Sequence, residues 1–251
     1  VNSLKPTELA YDHHQGQGPC VIFCGGFNSS RMGNKAVALE DYCASNGQEY
    51  IRFDYQAHGE SGGDFGDCTI STWLDDTLSI IDSVAENQSV VLIGSSFGGW
   101  LALLATQRRP EKIVGLILIA CAVDMTHYYP ERLRGVPLST DSLGRAYYAL
   151  PNQYDDEQDY RLYQAMIEDG AQYRLLESDA AFSQPMHLIH GQDDDVIPWQ
   201  RSLAILDQLA SGIASFTLIK NGDHRLSSSS DLSGINHSLA DLLATINGSS
   251  D

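Results

Sequence analysis

Positive charge is scarce in this chain. Only 15 of its 251 residues are Lys or Arg, four of them Lys, against 33 Asp or Glu, for a formal net charge of −18. Nucleic acids and anionic lipids are both held by clustered basic side chains, so this balance argues against either as a partner. An acidic surface in itself implies little more than solubility. Proline is also sparse, at eight, while 43% hydrophobic and 9% aromatic residues can fill a core, which argues against disorder. No apolar run approaches the ~20 residues of a membrane span. The first residues, VNSLKPTELAYDHH, show no charged-then-apolar leader pattern. Cysteine is limited to five positions (Cys20, Cys24, Cys43, Cys68, Cys121) and forms no C-x-x-C. An odd number of thiols set among apolar or small residues reads as reduced core cysteines of a cytoplasmic protein. There is no G-x-G-x-x-G and no Walker loop, so nothing supports a nucleotide cofactor.

What the chain does have is a rhythm of short apolar runs, turns and helical patterns. The runs are Cys20–Cys24, Glu49–Phe53, Val90–Ile93, Val114–Ile119, Met186–His190 and Ser215–Ile219. Most are near-continuously apolar, as strands covered on both faces should be. Helical spacing occupies Asn34–Ser45, Ser71–Ala85, Phe97–Arg108, Trp199–Leu209 and Ile235–Ile246. Alternating strands and helices predict an α/β fold: a mostly parallel central sheet with right-handed crossovers and helices on both faces. The rhythm stops between residues 124 and 184. That interval offers no good strand, many tyrosines and an acidic helix-like piece near Glu157–Asp169. A structureless loop of this length is improbable. The expected organisation is therefore a core of residues 1–123 and 185–251 with a small helical cap inserted at 124–184.

Gly94-Ser95-Ser96-Phe97-Gly98 is a G-x-S-x-G motif lying between an apolar strand and a helix. This is the setting in which a serine is held on a sharp turn above the strand ends. A serine hydroxyl is a weak nucleophile and needs a base, and the base needs an orienting carboxylate. Carboxylates follow the penultimate run at Asp193, Asp194 and Asp195, and His224 stands in a turn after the last run. The order Ser, Asp, His is that of the α/β-hydrolase topology. Among eight histidines, His13 and His14 fall in an expected loop, His187 and His190 in a strand and His237 in a helix, and only His224 sits in a turn just past the last strand, which makes it the base. The residues alone leave open which aspartate serves. They also raise a metal reading, which three adjacent side chains with no second acidic cluster fit poorly. The oxyanion needs two main-chain N–H groups. Those of Phe97, which follows the serine, and Phe27, in the Gly25-Gly26-Phe27 loop, are the candidates. Asp54–Ser61 reads as structural, with His58 bonded to its neighbours.

Beyond these motifs, the segments GFNSSRMGNKAVALEDYC (Gly26–Cys43), YIRFDY (Tyr50–Tyr55), LIGSSFGGWLALLA (Leu92–Ala105), RPEKIVGLILIA (Arg109–Ala120), HGQDDDVIPWQRSL (His190–Leu203) and GDHR (Gly222–Arg225) carry a resemblance. The chain resembles the α/β-hydrolase superfamily, in the branch of acyl-protein thioesterases and acyl-glucuronide esterases that includes an animal mitochondrial enzyme and bacterial relatives. The resemblance implies hydrolysis of esters or thioesters. Its H-G-x-x-D-x-x-V/I-P pattern puts the triad acid on Asp194, with Ser96 as nucleophile and His224 as base. Two departures stand out: Ser30 replaces an aspartate common in relatives, and the cap matches poorly. The expectation is a serine hydrolase acting on a small-molecule ester or thioester, without metal or organic cofactor. Amide or carbon–carbon bond hydrolysis, or a non-catalytic binder on the same fold, are the alternatives. Dehalogenase or epoxide hydrolase chemistry would need Asp where Ser96 stands. The −18 charge predicts repulsion of anionic substrates, countered only by Arg132 and Arg134 in the cap.

Overall fold

The computed structural model describes residues 9–151 and 159–248. The core strands are β1 (Tyr11–His14), β2 (Gln17–Cys24), β3 (Gln48–Phe53), β4 (Val90–Ser95) and β5 (Ile113–Ile119). An interval holding β6 (Leu138–Thr140), β7 (Ala146–Leu150) and β8 (Tyr160–Tyr163) follows, and β9 (Met186–Gly191) and β10 (Ala214–Ile219) complete the core. The seven core strands form one sheet in the order β1-β3-β2-β4-β5-β9-β10. All neighbours are parallel except β1, which runs antiparallel to β3.

Period-2 alternation divides each central strand between two cores. Val90 and Leu92 of β4 and Leu116 and Leu118 of β5 point to one face, with Trp73, Trp100 and Leu101. Val91, Ile93, Ile117 and Ile119 point to the other, with Ala36, Leu39, Ile235 and Leu239. Helices α1 (Asn34–Ser45), α2 (Ile70–Ser83) and α3 (Phe97–Arg108) follow successive strands; α1 covers the second face, α2 and α3 the first. A capping box between Thr69 and Thr72 starts α2.

The interval after β5 is not purely helical, contrary to expectation. It contains α4 (Met125–Arg132) and α5 (Gln164–Gly170), but between them β6, β7 and β8 form a separate antiparallel sheet. The cause lies in local chemistry. The tyrosines favour strands, and Asp141 closes the β6–β7 turn by accepting the N–H groups of Leu143 and Arg145, each at 2.9 Å. The anticipated acidic helix begins only at Gln164, and its proposed start at Glu157 lies outside the described residues. The interval is tied to the core. Asp169 of α5 accepts both the N–H and the hydroxyl of Ser71 at 2.7 Å, and Asp124 accepts the N–H groups of Leu175 and Leu176 at 2.9 Å. Helices α6 (Gln200–Gln208) and α7 (Ser229–Gly248) follow β9 and β10, with α7 starting six residues earlier than its apolar spacing indicates. His13 and His14, expected in a loop, lie in β1, where His13 Nε2 is 2.7 Å from Glu49 Oε1.

Candidate active site

Strand β4 turns directly into α3 at Ser96, whose backbone is held at φ 53° and ψ −116°. This is a strained conformation for a residue with a side chain. The turn is possible because its flanks are glycines: a Cβ on Gly98 would run into the Cys24 carbonyl, and one on Gly94 would reach within 2.5 Å of the Gly98 carbonyl oxygen. Ser96 N–H donates to the Ile119 carbonyl at 2.8 Å, which locks the turn to the neighbouring strand.

The loops after β9 and β10 bring two more side chains to this point. His224 Nε2 lies 3.1 Å from Ser96 Oγ, and His224 Nδ1 lies 2.8 Å from Asp194 Oδ2. Of the three consecutive aspartates, Asp193 and Asp195 are exposed, while the Asp194 side chain is fully buried and alone meets the histidine. Burial by itself would push the Asp194 carboxyl up. Hydrogen bonds from His190, His224 and the Ile197 N–H outweigh that and hold it well below the usual carboxylate range. Among the described residues no group of His, Cys, Asp or Glu could hold a metal ion.

His190 is a site residue that the sequence did not reveal. Its Nε2 faces two acceptors, Asp194 Oδ2 at 2.9 Å and the Ile197 carbonyl at 3.0 Å. That nitrogen therefore carries the proton, and Nδ1 accepts from the Ser202 hydroxyl at 2.8 Å. Only the H-G-x-x-D spacing, which sets His190 four residues before Asp194, could have signalled this.

The loop after β2 comes close to the serine from the other side. A Cβ on Gly26 would sit 3.7 Å from Ser96 Cβ. Phe97 begins α3, so its N–H has no partner within the helix. Phe27 packs edge-on against Phe97, with ring centroids 5.8 Å apart. The N–H groups of Phe27 and Phe97 make no hydrogen bond among the described residues.

Ser96 and His224 open on a cavity of about 850 Å³. Its apolar wall includes Met125, Tyr129, Leu162 and Ile197. Among the described residues its charged lining has the opposite sign to the whole molecule: Lys35, Arg132, Arg201 and Arg225 against Asp195. Net charge could not disclose this, because the four basic residues are remote from one another in sequence. Arg134, expected to act with Arg132, does not line the cavity. The Arg201 guanidinium stacks 3.4 Å above the centroid of the Tyr128 ring. Burial, and the neighbouring Arg225, lower the Lys35 ammonium to about 8.

A seven-stranded, mostly parallel sheet with a serine on a strained strand-to-helix turn, next to a histidine and a buried aspartate, defines an α/β-hydrolase. Residues 17–231 match the family model described as serine aminopeptidase, S33. The chain belongs to this α/β-hydrolase family and is a serine hydrolase. It is similar to the mitochondrial palmitoyl-protein thioesterase ABHD10 of Mus musculus, with 39% identity over 92% of this chain and 77% of that protein. The Homo sapiens protein of the same name is 36% identical over 97% of this chain and 79% of its own length. Among solved structures, the mouse α/β-hydrolase domain-containing protein 10 superposes with a TM-score of 0.86 at 37% identity, covering 98% of each chain. A hydrolase from Agrobacterium vitis S4 gives 0.87 at 30%, covering 97% of this chain and 96% of that one.

Proposed function

We propose that the protein hydrolyses carboxylic esters or thioesters through an acyl-enzyme on Ser96. The observation that carries this reading is the unbroken hydrogen-bond chain Ser96–His224–Asp194 at the mouth of the cavity. Ser96 Oγ attacks the carbonyl carbon while His224 Nε2 takes its proton. Asp194 holds Nδ1–H and stabilises the imidazolium that forms. The N–H groups of Phe27 and Phe97 receive the developing oxyanion. His224 then protonates the leaving alcohol or thiol. A water molecule, giving its proton to the same Nε2, releases the acid and restores Ser96.

The apolar wall suits an acyl chain, and the basic lining suits a leaving group or acyl tail that carries negative charge. Palmitoyl-protein thioesterase is the name borne by the relatives, and a thioester substrate fits the same chemistry. Five buried free thiols fit a reducing compartment, whether the cytoplasm or the mitochondrion named for the relatives. The test is turnover of p-nitrophenyl esters of increasing chain length beside acyl thioesters, with fluorophosphonate labelling of Ser96. A wild-type protein that neither labels nor turns over any of them is a binder, not an esterase.

A further inference from the structure

His58 lies in the turn after β3 and takes no part in the acyl-transfer steps above. It is 3% exposed. Its ring packs among those of Phe27, Tyr55, Phe65 and Trp73, at centroid separations of 6.4, 5.5, 5.3 and 5.4 Å. Its two nitrogens meet partners of opposite kind. The Asn28 N–H, which can only donate, is 3.1 Å from Nε2. The Gln56 carbonyl, which can only accept, is 3.1 Å from Nδ1. Together they require the neutral ring with its proton on Nδ1. Burial, which lowers the proton affinity of the ring against the opposing pull of the Gln56 carbonyl and Asp54, favours the same neutral form.

The residue held by this bond is a strained one. Asn28 has φ 56°, in the left-handed region, and is the third residue of a turn closed by Ser29 N–H donating to the Gly26 carbonyl at 3.1 Å. Asn tolerates that conformation better than most residues, but it still needs holding. Phe27 is the other central residue of the turn. The Phe27 N–H lies in the preceding Gly26–Phe27 peptide, which meets the Phe27–Asn28 peptide at the Phe27 Cα, so the bond that holds the Asn28 N–H braces the turn that carries both.

We propose that His58 is a positioning residue for the hydrolysis: by accepting the Asn28 N–H, it aims the Phe27 N–H at the oxyanion. This rests on the reading of Phe27 as an oxyanion donor. The role asks for an acceptor at the Nε2 position inside an aromatic box, and a neutral histidine supplies both.

Two variants test it. His58→Phe keeps a ring in the box but cannot accept a hydrogen bond; His58→Gln offers an amide oxygen to Asn28. With circular dichroism confirming that both are folded, His58→Phe should lose roughly 10²-fold in kcat, the effect of losing one oxyanion donor, with KM within threefold. Affinity for a trifluoromethyl ketone, which forms an oxyanion on Ser96, should fall by the same factor, and His58→Gln should recover at least tenfold of both. Long-range ¹⁵N–¹H NMR of the wild type should find the His58 proton on Nδ1, whatever the activity. A His58→Phe protein with kcat and ketone affinity within threefold of wild type, or a proton on Nε2, overturns the proposal. Failure of the esterase reading itself is distinct, because the wild type would then neither turn over esters nor bind the ketone.

Discussion

One oxygen of Asp194 serves two histidines: Oδ2 lies 2.8 Å from His224 Nδ1 and 2.9 Å from His190 Nε2. The other oxygen accepts the N–H groups of Val196 and Ile197 at 2.9 and 2.8 Å. The carboxylate is thus surrounded by donors, and an amide in its place would set N–H against N–H on at least one side. Asp194→Asn should therefore lower kcat by roughly 10⁴-fold. Asp193→Asn and Asp195→Asn, which alter exposed side chains, should stay within about threefold. Equal losses at all three positions would contradict the assignment of the acid.

Ser96→Ala should likewise cost roughly 10⁴-fold or more in kcat while leaving the fold and Tm unchanged. Ser95 ends β4, and it is Ser96 whose hydroxyl lies at hydrogen-bond distance from His224, so Ser95→Ala should remain labelled by a fluorophosphonate and Ser96→Ala should not. The reverse pattern would reassign the nucleophile.

Asp76 on α2 offers a test of stability rather than turnover. It accepts the N–H of Gln56 at 2.7 Å and that residue's amide at 2.8 Å, yet burial raises its carboxyl from 3.8 to about 6. A carboxyl raised on folding binds its proton more tightly in the native state. Its contribution to stability is therefore greatest below about 3.8 and is lost as pH climbs through about 6. The loss above that range is on the order of 3 kcal/mol. Asp76→Asn should raise Tm by several degrees at pH 7, with the gain vanishing near pH 4. A variant less stable than wild type at pH 7 would show that the Gln56 contacts need the charge.

The basic lining of the cavity predicts a salt effect opposite to that expected from net charge. For an acyl-CoA, kcat/KM should fall as salt is added, while a neutral p-nitrophenyl ester barely responds. Arg132→Ala combined with Arg201→Ala should flatten the dependence. Because Lys35 titrates at about 8, the dependence should weaken as pH rises past that point. An acyl-CoA rate that climbs with salt would mean the global field outweighs the local one.

Five of the six parallel strands were legible because they are buried on both faces, which leaves a nearly continuous apolar run such as VVLI at Val90–Ile93, whereas β10, at the sheet edge and without a fully buried residue, was marked only by its short run SFTLI. β1 was not, because Tyr-Asp-His-His on an antiparallel edge carries no such run. The β6–β8 sheet was hidden for a related reason: the residues of β7 are all half-buried, so no alternation marks its faces. Ser96, Asp194 and His224 stood out because each lies in the turn or loop that follows a strand. His190 and His58 did not, since their significance depends on partners that only folding supplies, Ser202 and Asn28. Of the basic residues of the cavity only Arg132 was anticipated; Lys35, Arg201 and Arg225, remote from it in sequence, were invisible for the same reason.

The five buried thiols have a practical corollary. Burial raises Cys24, Cys43 and Cys68 to about 12, and Cys20 and Cys121 higher still, so the native protein presents almost no thiolate to an alkylating reagent. Maleimide capture then becomes a clock for opening of the structure. Cys43 belongs to the layer under α1 and α7, and the other four to the opposite layer. The order in which peptides acquire the label would report which side of the sheet lets go first.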